Sequence, residues 1–136
     1  MTKNTTLALL LTGTALLALG ARVSAGPPAP KTITWGDRGK EVTVKLGQTF
    51  LLKLPANPST GYAWYFLSGA SPWKPVGRKY AGHPAKPGMT GVGGDETFTL
   101  KATGVGAGYL RLYYIRPFEE KIATEALWQV KVSVEK

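Results

Sequence analysis

The chain contains no cysteine, which excludes a disulfide framework, Cys-ligated zinc or iron–sulfur sites, a thiol nucleophile and an acylated lipoprotein anchor. Its single histidine, His83, removes the common two- and three-histidine metal sites and paired-histidine chemistry, although a Ser-His-Asp arrangement stays formally possible. Acidic residues are scarce. Over 136 residues, 8 Asp and Glu stand against 17 Lys and Arg, a formal balance of +9. That excess leaves acidic proteins, membrane surfaces and nucleic acid open as partners. Glycine (17) and proline (10) are plentiful, and with 43% apolar and 18% charged residues the composition is that of a folded, loop-rich globular chain. Its length has room for one domain.

The first 25 residues read as an export signal. Lys3 precedes an apolar run from Leu7 to Leu19, and Val23-Ser24-Ala25 is a small-x-small cleavage pattern. The run falls well short of the roughly 20 residues that span a bilayer, so no stable membrane anchor is expected. Cleavage near Ala25 leaves about 111 residues and, with Lys3 and Arg22 gone, a balance of +7. The product is expected in the periplasm or secreted, as a monomer. A domain of that size buries roughly 65% of its extended-chain surface, enough to fold without staples. Residues 26–40 are expected to form a Pro-rich N-terminal leader, because Pro27, Pro28 and Pro30 forbid a helix interior. The domain proper is expected over 41–136.

Beyond the leader the helical period hardly occurs, and apolar residues alternate with period two between Gly, Pro, Asn and Ser. Seven strands are predicted. Glu41 to Leu46 carries Val42, Val44 and Leu46 on one face; Gln48 to Leu54 carries Phe50, Leu52 and Leu54. Tyr62 to Leu67, almost continuously apolar, reads as a central strand with Trp64 and Phe66 on one side. Trp73 to Tyr80, interrupted by Pro75 and Gly77, reads as an edge. Thr97 to Ala102, Ala107 to Ile115 and Ala126 to Val134 complete the set. The expected fold is all-β: an immunoglobulin-like seven-stranded antiparallel β-sandwich without a disulfide, with a five- or six-stranded barrel as competitor. If successive strands alternate in direction, the loops after the second, fourth and sixth emerge at one end. These are Pro55 to Gly61, Ala81 to Gly94 and Arg116 to Glu125.

Each of those loops carries an unusual motif. Asn57-Pro58-Ser59-Thr60-Gly61 is a rigid turn of small residues, in which Pro58 fixes its own φ and holds Asn57 extended. Read alone, it is an ordinary connection. Gly91-Val92-Gly93-Gly94 lacks the Lys-Ser or Lys-Thr of a phosphate-binding loop and leads into a strand, so alone it is a loop tip. Arg116-Pro117-Phe118 sets a cation and an aromatic ring about a fixed backbone angle, residue types that anchor interfaces. Alone, it is a strand end with Phe118 over the core. In this order and spacing, the three motifs resemble those of the chagasin family of cysteine peptidase inhibitors: an Asn-Pro-Thr-Thr-Gly-type motif, a Gly-x-Gly-Gly motif and an Arg-Pro-Trp-type motif. The resemblance runs from Val42 onward. Ser59 stands where the family usually has Thr, losing a methyl and keeping the hydroxyl. Phe118 replaces the usual Trp, losing ring area and an indole donor.

The resemblance implies an inhibitor of papain-like cysteine peptidases, with no cofactor and no catalytic residue, whose three loops occlude the active-site cleft. It implies that Ser59 and Thr60 enter the cleft, held by Pro58 and Gly61. Gly91 to Gly94 would lie along one wall, and Arg116, Pro117 and Phe118 would clamp the other. A carbohydrate or cell-surface binding module is the alternative, resting on Trp35, Trp64, Trp73 and Trp128, of which three fall inside strand patterns. Nucleic acid is not expected as a partner, because Lys and Arg are scattered singly with no run or stripe in the sequence. An enzyme is not expected either: His83 lies in a Gly-His-Pro context with no carboxylate nearby in sequence.

Overall fold

In the computed structural model the described residues are 29–67, 69–119, 121 and 126–136, with Gly20 and Gly26 as isolated positions. The proposed signal segment therefore lies outside them, Gly20 apart. Alternation of apolar and polar side chains produces eight strands: β1 (Lys31–Thr34), β2 (Glu41–Lys45), β3 (Thr49–Ala56), β4 (Ala63–Phe66), β5 (Trp73–Gly82), β6 (Gly94–Ala102), β7 (Gly106–Ile115) and β8 (Leu127–Glu135). Two four-stranded sheets result, ordered β1-β3-β6-β5 and β2-β8-β7-β4. Their facing sides hold the core. Phe50, Leu52, Leu54, Phe98 and Leu100 come from the first sheet, and Leu110, Leu112, Trp128, Val130 and Val132 from the second, all fully or almost fully buried. This is an immunoglobulin-like β-sandwich held by apolar packing.

Several details differ from the sequence reading. An eighth strand, β1, lies within residues assigned to the leader. It pairs in parallel with β3, from Lys31 beside Phe50 to Thr34 beside Lys53. Its one inward side chain, Ile33, is fully buried, and a single apolar residue among Lys and Thr leaves no period to detect. The sheets are not purely antiparallel, since β2 also pairs in parallel with β8. The strand after Gly61 is an edge, not central: β4 pairs with β7 alone. Its continuous apolarity arises because Tyr65 and Leu67 stand on the outer side, 41% and 48% exposed. Leu46 is not an inward residue. β2 ends at Lys45, and the chain turns through Gly47 at φ 78°, leaving Leu46 46% exposed. The expected edge strand is found at β5, with its irregularity between Pro75 and Gly77.

Strand direction alternates as expected. β3 and β5 run opposite to β6, β4 and β8 run opposite to β7, and β2 runs with β8. That parity sends the β3–β4, β5–β6 and β7–β8 connections to one end of the sandwich.

Candidate functional site

The β3–β4 connection is built by its own sequence. Pro58–Thr60 form one 3-10 turn, closed by the Thr60 amide donating to the Asn57 carbonyl (3.1 Å) and the Gly61 amide to the Pro58 carbonyl (3.0 Å). Asn57 is extended (φ −139°, ψ 86°), as a residue before proline must be, and Gly61 leaves the turn at φ 82°. The two hydroxyls tighten it. Ser59 Oγ donates to Asn57 Oδ1 and Thr60 Oγ1 to the Asn57 carbonyl, each at 2.6 Å. Both hydroxyl donors are thus used inside the loop, and what each oxygen offers outward is acceptor capacity.

The other two motifs are fastened to this turn. Asn57 Nδ2 donates to the Gly91 carbonyl at 2.8 Å, and the Asn57 amide donates to the Tyr114 hydroxyl at 2.8 Å. Gly93 passes so close that a Cβ there would sit 3.1 Å from the Ala56 carbonyl oxygen, which explains the missing side chain. Val92 between them is half-buried. From the third loop, Arg116 Nε donates to the Thr60 carbonyl at 2.8 Å. The Arg116 guanidinium lies 4.4 Å over the Tyr62 ring and pairs through Nη1 with Glu119 at 3.0 Å. Tyr62 stacks on Tyr114 at 5.3 Å, and Trp64 packs on Tyr114 at 4.7 Å while donating from Nε1 to the Pro55 carbonyl. Pro117 turns the chain so that the Phe118 ring lies beside Gly61, and Phe118 remains 75% exposed.

The structure therefore brings Asn57, Pro58, Ser59, Thr60 and Gly61 together with Gly91 to Gly94 and Arg116 to Phe118 in one hydrogen-bonded rim. Residues 120 and 122–125 of the third loop lie outside the described residues. Sequence reasoning did not find Tyr62, Tyr114 or Glu119 as supports. Tyr114 falls within the strand predicted from Ala107 to Ile115, but nothing local signals that its hydroxyl meets Asn57, 57 positions away. His83 is exposed, and it has a carboxylate partner that its local sequence does not show. The β5–β6 hairpin, with Ala81 opposite Asp95, brings His83 Nε2 to 3.0 Å from Asp95 Oδ2. The hydrogen bond from His83 is the main cause that holds the Asp95 carboxyl below its ordinary range; burial opposes it, and Lys53 at 3.2 Å adds to the lowering. The His83 amide donates to the Gly93 carbonyl at 3.0 Å, so this cluster sits at the base of the second loop.

A sandwich whose one elaborated end is a rim of small and aromatic residues, braced from within, defines a protein that binds by shape rather than one that transforms a substrate. The chain belongs to the chagasin family of peptidase inhibitors: residues 43–132 match the model described as "Chagasin family peptidase inhibitor I42". Chagasin of Trypanosoma cruzi is 35% identical over 91 residues, spanning 63% of this chain and 81% of chagasin. Among solved structures, the cysteine protease inhibitor EhICP2 of Entamoeba histolytica superposes with a TM-score of 0.70 at 24% identity, over 81% of this chain and 100% of that one. PbICP-C, solved in complex with falcipain-2, has the same fold at a TM-score of 0.53 and 17% identity, over 77% of this chain and 99% of that one. The chain is an inhibitor of this class and not an enzyme.

Proposed function

We propose that this protein inhibits papain-like cysteine peptidases by seating the three-loop rim in their active-site cleft, with Asn57 to Gly61 at the tip, Gly91 to Gly94 on one wall, and Arg116 to Phe118 on the other. The observation that carries the reading is the internal bonding of the rim: Asn57 ties the first loop to the second and Arg116 ties it to the third. A surface ordered before encounter loses less conformational freedom on binding. The tip is a 3-10 turn with a left-handed exit, not the extended backbone a peptidase cleaves, and its bonds to the other loops resist extension. Ser59 and Thr60 are small enough for a narrow cleft, and their oxygens can accept from a catalytic imidazolium or thiol. Exposed Phe118 supplies the aromatic anchor. The falcipain-2 complex of the fold neighbour PbICP-C supports this class of partner.

The Lys3, apolar-run and Val23-Ser24-Ala25 pattern of residues 1–25 supports export to the periplasm or beyond. The carbohydrate-module reading loses its footing, because Trp64, Trp73 and Trp128 are core residues and Trp35 alone is substantially exposed. Titration of papain with the mature domain tests the proposal. Stoichiometric loss of peptidase activity is expected, and full turnover at a molar excess of the protein would overturn it.

A further inference from the structure

The lysines that look scattered in the sequence are gathered by strand register. Lys53 on β3, Lys101 on β6, and Lys74 and Lys79 on β5 all stand on the outer side of the β1-β3-β6-β5 sheet, opposite in sense to buried Leu52, Phe98 and Leu100. Lys53 and Lys79 flank Thr97 from either side in one row, and Lys74 lies directly opposite Lys101 in another. All four are exposed. With strands about 4.8 Å apart and a rise of about 3.3 Å per residue, they outline a patch of roughly 10 by 13 Å.

Three of these four lysines are unneutralised. Among the described residues the face has one acid, Asp95, which lies at the loop end and is taken by Lys53 and His83. Among the described residues, Lys74, Lys79 and Lys101 enter no ion pair. Like charges directly opposite each other destabilise a strand pair, so the Lys74–Lys101 pairing carries a cost that a bound anion would relieve. The other sheet's outer face is different in kind. There Lys131 pairs with Glu41 at 3.3 Å, Arg111 Nε donates to Gln129 at 3.1 Å, and Lys45 Nζ reaches the Lys136 carbonyl at 3.4 Å.

We propose that the outer face of the β1-β3-β6-β5 sheet is a docking surface for an anionic polysaccharide, bearing sulfate or carboxylate groups, that tethers the inhibitor while its loops stay free. Charge complementarity selects an anion. The surrounding Thr49, Thr97 and Thr99 supply hydroxyls for sugar and sulfate oxygens. Among the described residues, no aromatic side chain stands on this face to stack a base, and no row of apolar side chains is offered to a bilayer. Lys74 and Lys101 lie at the end of β6 remote from Gly94 and the loops, so a bound polymer does not occupy the rim.

Heparin is the probe, titrated at physiological salt against the whole mature domain. The variant Lys74→Gln/Lys79→Gln/Lys101→Gln is compared with Lys31→Gln/Lys40→Gln/Lys45→Gln, which loses the same charge elsewhere. The sheet-face variant should bind heparin roughly tenfold or more weakly, and the control variant within about twofold of the parent. The sheet-face variant should melt no lower than the parent, because it relieves the Lys74–Lys101 opposition, and both variants should keep the parent's action on papain. Equal weakening of the two variants would reduce the effect to net charge and overturn the proposal. So would parent-like binding by the sheet-face variant, or equally tight parent binding to duplex DNA or phosphatidylserine vesicles. If the parent binds heparin through this face yet leaves papain active, the inhibitor reading fails and the docking surface stands.

Discussion

At the scale of single residues, the proposed site separates into side chains that hold the rim and side chains left exposed for a partner. Asn57 belongs to the first kind. Its amide nitrogen serves Gly91 and its amide oxygen accepts from Ser59. Two such bonds at about 1 kcal/mol each correspond to roughly 30-fold in binding. Asn57→Ala should therefore weaken papain inhibition by about that factor, chiefly through faster dissociation. An unchanged inhibition constant would show that the inter-loop bond does not preorganise the rim. Phe118 belongs to the second kind, being 75% exposed. Phe118→Ala should cost roughly tenfold or more in affinity while leaving the thermal midpoint in place, and Phe118→Trp should strengthen binding by restoring ring area and an indole donor. A matching loss of stability in Phe118→Ala would assign the ring to packing instead. The identities of these residues were legible because three motifs recur in order. Their division of labour was not, since it depends on bonds between residues 34 and 56 positions apart.

At the scale of elements, alternation identified seven of the eight strands and, Leu46 apart, the inward residues named for them, because a period of two is written in local sequence. Neighbour relations were less legible. Tyr62 to Leu67 looked central because both of its faces are apolar, and only pairing shows β4 at an edge. The β5–β6 hairpin is the element on which the second loop stands, and it has no room for a side chain at its mouth. A Cβ on Gly94 would lie 2.7 Å from Gly82 Cα. Gly94→Ala should destabilise the domain by about 1–3 kcal/mol and weaken inhibition with it; denaturant unfolding that is unmoved would contradict the close approach. The same hairpin mouth is acid-sensitive. The Asp95 carboxyl is held below its ordinary range by His83 and then Lys53, so its contribution to stability is present above the unfolded carboxyl range, about pH 4, and is lost as pH falls through the depressed folded value. In Asp95→Asn that part of the acid-side fall in thermal midpoint should be missing. A superimposable pH profile would remove Asp95 from the account.

At the scale of the whole molecule, the parity of strand direction is what turns three separate sequence motifs into one site, and it was legible without any structure. The same parity holds for β1, which runs with β3. Yet β1 itself was hidden, because the Pro-rich stretch before it and its one inward residue resemble a solvated leader. The structure makes Ile33 a part of the core, and this has a measurable consequence. An extended leader would tolerate any substitution at that position. A strand whose single anchor is fully buried would not, because truncation removes apolar burial and leaves a cavity between the sheets. Ile33→Ala should lower the free energy of unfolding by about 2–4 kcal/mol, seen as a shift of the urea midpoint with little change in slope. Papain inhibition at temperatures well below the midpoint should be retained, because β1 pairs at the outer edge of its sheet and contributes no residue to the rim. A shift below about 0.5 kcal/mol would return residues 31–34 to the leader and reduce the working sandwich to seven strands.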